Sequence, residues 1–409
     1  MATIAILGTL DSKGPEHAYV ADCIRGYGHE TILIDVGTGG PPRIEPDVTR
    51  DLVAEAGGIG LKELMERQDR GECVTAMSKA AAELLNRLQT EGRIDGVISL
   101  GGGGGTAIAT AAMRALPIGF PKLMVSTLAS GNTAHYVGTK DIVMCPSVVD
   151  VAGLNRVSKM IFARAAGAIS GMVGSQPAMD EADKPIIAAS MFGNTTDCVN
   201  EAKRILEEAG YEVLVFHATG TGGRAMESLI ESGLVDGVLD ITTTEWADEL
   251  VGGVLSAGPT RLEAAGKTGV PAIVVPGCVD MVNFGEQDSV PPEFESRSFY
   301  IHNPQVTLMR TSVEESRQIG EIIAEKLSAY EGPVSVLLPT KGVSVIGLEG
   351  QPFYVPDADI ALFDAIRAGL PDRVPVTELD VSINDPEFAR ACAETLLENI
   401  RVKGINSST

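Results

Sequence analysis

The sequence TIAILGTLD at residues 3–11 recurs in outline as IIAASMFGNTTD at residues 186–197. Each stretch is a short apolar run of strand length that ends in a polar loop containing glycine. An amphipathic stretch and a second apolar run follow each of them, and both segments close on the same four residues, Gly-Thr-Gly-Gly, at 37–40 and 220–223. The chain therefore resembles itself, with one half beginning near residue 1 and the other near residue 184.

The echo continues further along both halves. IDGVI at 94–98 matches VDGVL at 235–239, and GFP at 119–121 matches GVP at 269–271. Strands that alternate with helices indicate parallel sheets with right-handed crossovers. We therefore predict an α/β protein with two Rossmann-like, doubly wound parallel-sheet domains that arise from an internal duplication. The predicted domains are residues 1–178 and 184–409, joined by a polar link over Ser175–Lys184.

The first half carries an insertion, residues 41–92, that the second half lacks. Its apolar residues have helical spacing and predict helices: Leu61, Leu64, Met65, Leu84, Leu85 and Leu88. Helix pairs of this kind form a dimer surface or a lid, so we predict a homodimer that uses this insertion.

Composition restricts the class of protein and of ligand. The 409 residues carry a formal charge of −23 and only 4 % aromatic residues. A nucleic acid or an anionic membrane surface would be repelled by that field. The six cysteines show no metal-ligand spacing, and no stretch has the character of a signal peptide or of a membrane span. These features predict a soluble cytoplasmic protein with reduced thiols.

The most unusual loop is the run of five glycines at residues 101–105, in the sequence LGGGGGT. Without side chains, the backbone can approach an anion closely and direct successive N–H groups at it, and the helix predicted from Thr106 onward adds its dipole. The alternative is a flexible strand-to-helix turn. Neither the P-loop pattern nor the strict GxGxxG pattern is present. We predict a phosphate site formed by Gly101, Gly102, Gly103, Gly104, Gly105 and Thr106.

A flavodoxin-like strand order would bring the loop after the first strand, GTLDSKG at 8–14, to face the glycines. There Lys13 could neutralise a phosphate, and Asp11 could hold a phosphate-bound magnesium ion or, with Thr9, cap the next helix. Asp35 could accept from ribose hydroxyls or be a solvated strand-end residue. Gly8 in the first loop is also a predicted ligand contact. The small polar residues at the end of a later strand and in the loop after it complete the predicted contacts: Ser126, Thr127, Ser130, Gly131 and Asn132.

The second half has ionisable groups near its own predicted strand ends. Glu245, His217, Asp280 and Lys341 are candidates for acid–base catalysis or for binding a small organic acid or sugar-like ligand. The alternative is that Glu245 and Asp280 cap helices. No HExxH, GxSxG, metal-spaced Cys/His or kinase pattern occurs in the sequence.

Several motifs together resemble one known family. GTLDSKG (8–14), LGGGGGT (100–106), LPIGFPKLMVSTLASGN (116–132), SVVDVAGLN (147–155) and PTKGVS (339–344) are similar to the amino-terminal, ATP-binding region of the tomato mosaic virus resistance protein and its bacterial relatives, a family long classed as uncharacterised. The resemblance implies ATP binding, two Rossmann-like subdomains and a tendency to dimerise. A TIM-barrel domain follows this region in the plant protein, so the resemblance also implies a separately encoded barrel protein as a partner.

Two functions remain open from the sequence. One is a nucleotide-binding protein whose ATP state, with magnesium, controls assembly or a partner. The other is an enzyme that acts on a small organic acid or sugar-like substrate in the second-half crevice, with ATP as substrate or effector.

Overall fold

A computed structural model describes residues 1–175 and 184–406. The chain divides into two compact units, Met1–Met179 and Asp180–Thr409. Most of the predicted link Ser175–Lys184 lies outside the described residues.

The first unit contains five strands and seven helices among its described residues. In chain order they are β1 (Thr3–Gly8), α1 (Leu10–Gly26), β2 (Glu30–Asp35), α2 (Arg50–Ala56), α3 (Leu61–Glu66), α4 (Arg70–Thr90), β3 (Gly96–Gly101), α5 (Gly103–Arg114), β4 (Lys122–Ser126), α6 (Ala134–Val137), β5 (Val143–Pro146) and α7 (Arg156–Gly174). The strands form one parallel sheet in the order β2-β1-β3-β4-β5. The order reverses between β1 and β3, as the flavodoxin-like hypothesis requires.

The second unit repeats this plan and extends it. Its elements are β6 (Ile186–Met191), α8 (Thr196–Glu208), β7 (Glu212–His217), α9 (Thr221–Glu231), β8 (Gly237–Thr242), α10 (Glu245–Val251), α11 (Ala264–Thr268), β9 (Ala272–Gly277), β10 (Met281–Phe284), β11 (Phe299–Asn303), β12 (Val306–Arg310), α12 (Val313–Ser328), β13 (Val334–Pro339), α13 (Pro356–Gly369), β14 (Val376–Leu379) and α14 (Pro386–Asn406). The parallel sheet has the order β14-β13-β9-β8-β6-β7, and β10, β12 and β11 form a separate antiparallel sheet.

Each parallel sheet is covered on both faces by helices. In the first unit, one apolar core lies under α2, α4 and α5 and includes Leu84, whereas the opposite core lies under α1 and α7 and includes Phe162. The second unit has two corresponding cores, which include Trp246 and Phe388 respectively. Strands buried on both faces explain the near-continuous apolar runs in the sequence. The predicted class, α/β with two doubly wound parallel sheets, is confirmed.

The helices α2, α3 and α4 lie within the 41–92 insertion, and most of the apolar side chains that predicted them face the interior, although Leu52 of α2 is 50 % exposed. Leu61, Leu64, Leu84, Leu85 and Leu88 are buried within the unit. These five leucines complete the unit's own core and do not supply a dimer contact, and the homodimer stays a prediction. Among the helices of the described residues, none is long and apolar enough to cross a membrane.

Candidate functional site

A cleft of about 640 Å³ opens at the carboxyl edge of the first sheet, beside the reversal between β1 and β3. This is the edge where open parallel sheets bind ligands, and the volume suits a small-molecule ligand. The lining comes from α1, the loop after β2, the α3–α4 turn and the start of α5. It comprises Thr9, Asp11, Ser12, Lys13, Val36, Thr38, Gly39, Met65, Gln68, Asp69, Arg70, Cys73, Val74, Gly102, Gly103, Gly104, Gly105 and Ile108.

The five glycines have two different physical explanations. A Cβ on Gly101 would lie 3.0 Å from the Cα of Gly105, so the strand-to-helix turn requires glycine there. By contrast, a Cβ on Gly103 would meet nothing within 4 Å, and on Gly102 or Gly104 it would make only ordinary contacts at 3.7 and 3.5 Å. None of the five has a positive φ. Neither backbone conformation nor packing within the protein therefore accounts for glycine at 102–104.

The amino end of α5 faces this cleft without a side-chain cap. Gly102 is the N-cap residue, and the first turn contains no acidic residue. The first backbone N–H groups of a helix have no partner within the helix, and its dipole favours a negative charge at this end. The donors at the start of α5 and the empty space at Gly103 therefore suit an anion.

Asp11 and Lys13 line the same cleft from the other side of the strand reversal. Asp11 Oδ2 accepts from the backbone N–H of Gly39 at 2.7 Å and of Gly40 at 3.3 Å, so Asp11 fixes the loop after β2 and does not cap its own helix. Thr9, the N-cap of α1, makes no side-chain capping bond. Lys13 has non-helical angles (φ −129°, ψ 26°) that break α1 just before Pro15, and its ammonium donates to the carbonyl of Val151.

Two residues next to this loop have structural roles. Asp35 is 1 % exposed; its Oδ2 accepts from Arg50 Nε at 2.7 Å, and its Oδ1 accepts from the backbone N–H of Leu10 and Gly37. Both interpretations of Asp35, as a ribose ligand and as a solvated residue, are wrong. A Cβ on Gly8 would overlap the ring of His17, so Gly8 is required by packing. Burial lowers the pKa of His17, which adds no positive charge near pH 7.

The polar residues predicted after β4 are placed differently from the glycines. Thr106 and Ser126 are buried and bond to each other through their hydroxyl oxygens at 2.7 Å, so neither hydroxyl faces the cleft. Thr127 lies next to Gly102. Ser130, Gly131 and Asn132 form an exposed turn, in which Asn132 Oδ1 accepts from the backbone N–H of Ala134. None of these side chains is among the residues that line the cleft.

The insertion lines part of the cleft, which its sequence did not predict. Met65 of α3 and Val74 of α4 provide apolar surface, and Arg70, the first residue of α4, provides a cation. One local signal could have identified Arg70. Asp69 is a residue type that commonly caps helices, so the sequence places Arg70 in the first turn of a helix. A basic residue there opposes the helix dipole unless an anion offsets its charge.

The second unit places its own carboxylate at the position where an anion would bind. Glu245 Oε1 accepts from the backbone N–H of Gly220 at 2.8 Å and of Gly223 at 3.1 Å, at the amino end of α9. Its Oε2 accepts from Arg261 Nε at 2.7 Å. Arg261 also forms a two-pronged pair with Asp240, with both N–O distances at 2.6 Å. Glu245 therefore caps a helix, as the alternative held.

This network is largely buried and joins one arginine to three carboxylates. Arg261 is 1 % exposed and also contacts Glu227 at 3.1 Å. Burial opposes the charge of Arg261, but the attraction of Asp240 and Glu245 raises its pKa well above the ordinary value. Burial raises the pKa of Glu227. The cluster is a structural element that fills the space, so Glu245 is not available to a ligand.

The other three catalytic candidates have separate surroundings. Asp280 is buried and accepts from Ser344 Oγ at 2.6 Å, and burial raises its pKa. Lys341 is exposed and pairs with Asp380 at 3.0 Å. His217 is exposed, with its ring centroid 5.4 Å from that of Phe192. Among the described residues, no hydrogen bond joins any two of the four candidates, and no group of three or more His, Cys, Asp or Glu is arranged to hold a metal ion.

Comparison with known proteins adds a family. Residues 2–178 match the Uncharacterised protein family (UPF0261) N-terminal domain, and residues 184–400 match the C-terminal domain of the same family. A UPF0261 protein of Clostridium tetani is 52 % identical over 96 % of this chain and 98 % of its own length. The ToMV resistance protein Tm-1(GCR237) of tomato, Solanum lycopersicum, is 46 % identical over 80 % of this chain and 45 % of its own length. A solved structure of a putative UDP-N-acetylglucosamine 2-epimerase from Listeria monocytogenes aligns with 93 % of this chain and 99 % of its own, but its 12 % identity and TM-score of 0.24 carry no functional argument.

Proposed function

The chain belongs to the uncharacterised protein family UPF0261, and we propose that its first unit binds ATP, with the phosphates against Gly102–Gly105. The carrying observation is that glycine at 102–104 is demanded neither by a positive φ nor by packing within the protein. A ligand that approaches the backbone closely supplies the missing reason. The uncapped start of α5 supports phosphate as the group that approaches.

The rest of the cleft supports a nucleotide over a bare anion. Met65, Val74 and Ile108 give the cleft an apolar wall on which a base can pack. Lys13 supplies positive charge on the opposite side. The resemblance of the motifs to the ATP-binding region of the plant family members favours adenine as the base.

Magnesium fits this proposal as an ion carried by the nucleotide. Phosphate-bound magnesium keeps several waters and needs only one or two protein carboxylates. Asp11 lines the cleft, and both of its described hydrogen bonds are made to Oδ2. Asp11 would hold one of the magnesium waters, so Asp11→Asn should reduce the gain in ATP affinity that magnesium gives, as measured by calorimetry with and without EDTA.

The direct test is calorimetric titration of ATP into Gly103→Val. The branched side chain would project into the empty cleft, so binding should be lost while the fold remains. Gly171→Val is the matched control, because Gly171 lies within α7, is exposed and also has nothing within 4 Å of a built Cβ. A folded Gly103→Val protein that binds ATP as the wild type does would refute the proposal.

The nucleotide state would act through assembly or a partner. A homodimer, and a separately encoded TIM-barrel protein as the partner, remain predictions. Light scattering at micromolar concentration with and without ATP-magnesium tests the first, and a mass that stays monomeric in both conditions would contradict it.

A further inference from the structure

Arg70 is a cation that the insertion brings to the cleft. It is the first residue of α4, and the backbone there is fixed by Asp69, whose Oδ1 accepts from the N–H of Glu72 at 2.9 Å. Arg70 Nη2 lies 3.5 Å from the position that a Cβ on Gly104 would take. The guanidinium therefore lies beside the start of α5, where both residues line the cleft.

Arg70 has no anionic partner in the part of the chain that the structure describes. Arg67, in the same turn, pairs with Glu72 at 3.1 Å, whereas Arg70 makes no hydrogen bond or ion pair with any described residue. Scarcity of carboxylates does not explain this, because Asp and Glu number 55 against 32 Lys and Arg. Arg70 is exposed, so its guanidinium is available to an anion that enters the cleft.

The electrostatics of this position are unfavourable without a ligand. Arg70 lies at the amino end of its own helix and faces the amino end of α5, so its charge meets two positive helix ends. An anion between the guanidinium and the glycine loop would attract the guanidinium and both helix ends, which offsets these two repulsions. Arginine also matches the geometry of phosphate oxygens with two parallel donors.

We propose that Arg70 contacts the phosphates and makes the cleft selective for nucleotides with more than one phosphate group, which are nucleoside di- and triphosphates. This inference rests on the proposed function of the same cleft. Arg70 approaches from the insertion, the glycine loop from α5 and Lys13 from α1, so donors on three sides are best used by a ligand with several phosphates. The contact also ties α4 to α5 through the ligand.

This contact would order the α3–α4 turn. Gln68 in that turn has a φ of 54°, a left-handed conformation that is uncommon for a residue other than glycine. Ligand binding through Arg70 should protect the backbone amides of residues 66–72 from hydrogen exchange. A purely structural role of Arg70 would not make that protection depend on the number of phosphates.

The experiment compares wild type, Arg70→Ala, Arg70→Lys and the matched control Arg67→Ala. Each is titrated calorimetrically with ATP, AMP, adenosine and inorganic tripolyphosphate, with thermal unfolding as a check on the fold. Arg70→Ala should weaken ATP and tripolyphosphate by roughly 10- to 150-fold, AMP by less and adenosine not at all. Arg70→Lys should recover part of the loss, and Arg67→Ala should match wild type for all four ligands.

The possible outcomes separate the two proposals. If Gly103→Val abolishes ATP binding but Arg70→Ala retains wild-type affinity, the role of Arg70 is refuted and the nucleotide site stands. If wild type binds tripolyphosphate through Arg70 but does not bind ATP, the nucleotide proposal fails and the phosphate contact stands. Equal losses for ATP and adenosine in Arg70→Ala would also overturn the inference, because they indicate a structural effect.

Discussion

The first four strands lie in the same order in both units, β2-β1-β3-β4 in the first and β7-β6-β8-β9 in the second. The units differ in what lies against the helix ends at the carboxyl edge of the sheet. The first unit leaves the start of α5 uncapped beside a cleft of about 640 Å³. In the second unit, the helix end that is filled belongs to α9, which follows the second strand β7, whereas α5 follows the third strand β3. The carboxylate of Glu245 occupies the start of α9 and is neutralised by Arg261. A helix end that a protein satisfies with its own side chain is a structural element, whereas one left open beside a cleft is a candidate binding site.

Breaking the network in the second unit should have the largest effect. Arg261→Met would leave the buried Asp240 and Glu245, and the half-buried Glu227, without their cation. Removing one partner from a buried ion pair costs about 3–5 kcal/mol. Urea unfolding followed by hydrogen exchange should show this loss in the second unit. Arg204→Met, which removes an exposed arginine paired with Glu201 and Glu208 on α8, is the control and should change nothing measurable. Equal stability of the two variants would show that the network is not needed.

The second unit should also be the one that loses stability as the pH rises. Burial raises the pKa of Asp248 from 3.8 to about 7, so the folded state keeps a proton that the unfolded state releases. Its contribution is complete below about pH 4 and is lost as the pH rises through 7, a change of about 4 kcal/mol. Hydrogen exchange at pH 5 and pH 8 should show faster opening of the second unit at the higher pH.

Asp248→Asn should remove most of this pH dependence. The Oδ1 of Asn283 has no partner, while its Nδ2 donates to Asp248 at 2.8 Å, so a turn of the Asn283 amide would let it accept from an amide at position 248. Asp197→Asn, at an exposed position in the first turn of α8, is the control. An unchanged pH profile in Asp248→Asn would assign the effect to other groups.

A substitution of Lys13 tests the proposed phosphate site of the first unit alone, because the corresponding loop of the second unit, Gly193–Asp197, contains no lysine. Lys13→Ala should weaken ATP by about 1.5–3 kcal/mol, or roughly 10- to 150-fold, and leave adenosine unchanged. Its ammonium also donates to the Val151 carbonyl, so a structural role is a real alternative. Calorimetry with both ligands separates the two, since equal losses would mean that Lys13 holds the loop before α7 and does not bind phosphate.

Sequence reasoning reached the fold because apolar periodicity and the internal echo are local signals. Strands β1 and β6 occupy Thr3–Gly8 and Ile186–Met191, where the apolar runs predicted them. The glycine loop was also a local signal. The partners of Asp35 and Glu245 could not be predicted, since Arg50 and Arg261 lie 15 and 16 residues further along the chain and reach them only through the folded sheet. A basic residue at the start of α4 is a local signal, but the position of Arg70 beside the cleft depends on how the insertion packs against α5.

The smallest effects, and the sharpest form of the comparison, concern single methyl groups on glycines of the two units. In the second unit, a Cβ on Gly223 would lie 2.2 Å from Glu245 Oε2, so Gly223→Ala should destabilise the protein by about 1–3 kcal/mol.

In the first unit, Gly103 lies in helical backbone, and a Cβ there would meet nothing within 4 Å. Gly103→Ala should therefore stabilise the fold by about 0.5–1 kcal/mol, because alanine loses less backbone entropy in a helix. The same methyl group would intrude where phosphate is proposed to bind, so ATP affinity should fall while stability rises. Thermal unfolding of both variants measures the change in stability, and calorimetry measures the change in ATP affinity. If Gly103→Ala destabilises the fold, the glycine loop has a structural requirement of its own. If it raises stability and leaves ATP affinity unchanged, the phosphates lie elsewhere in the cleft.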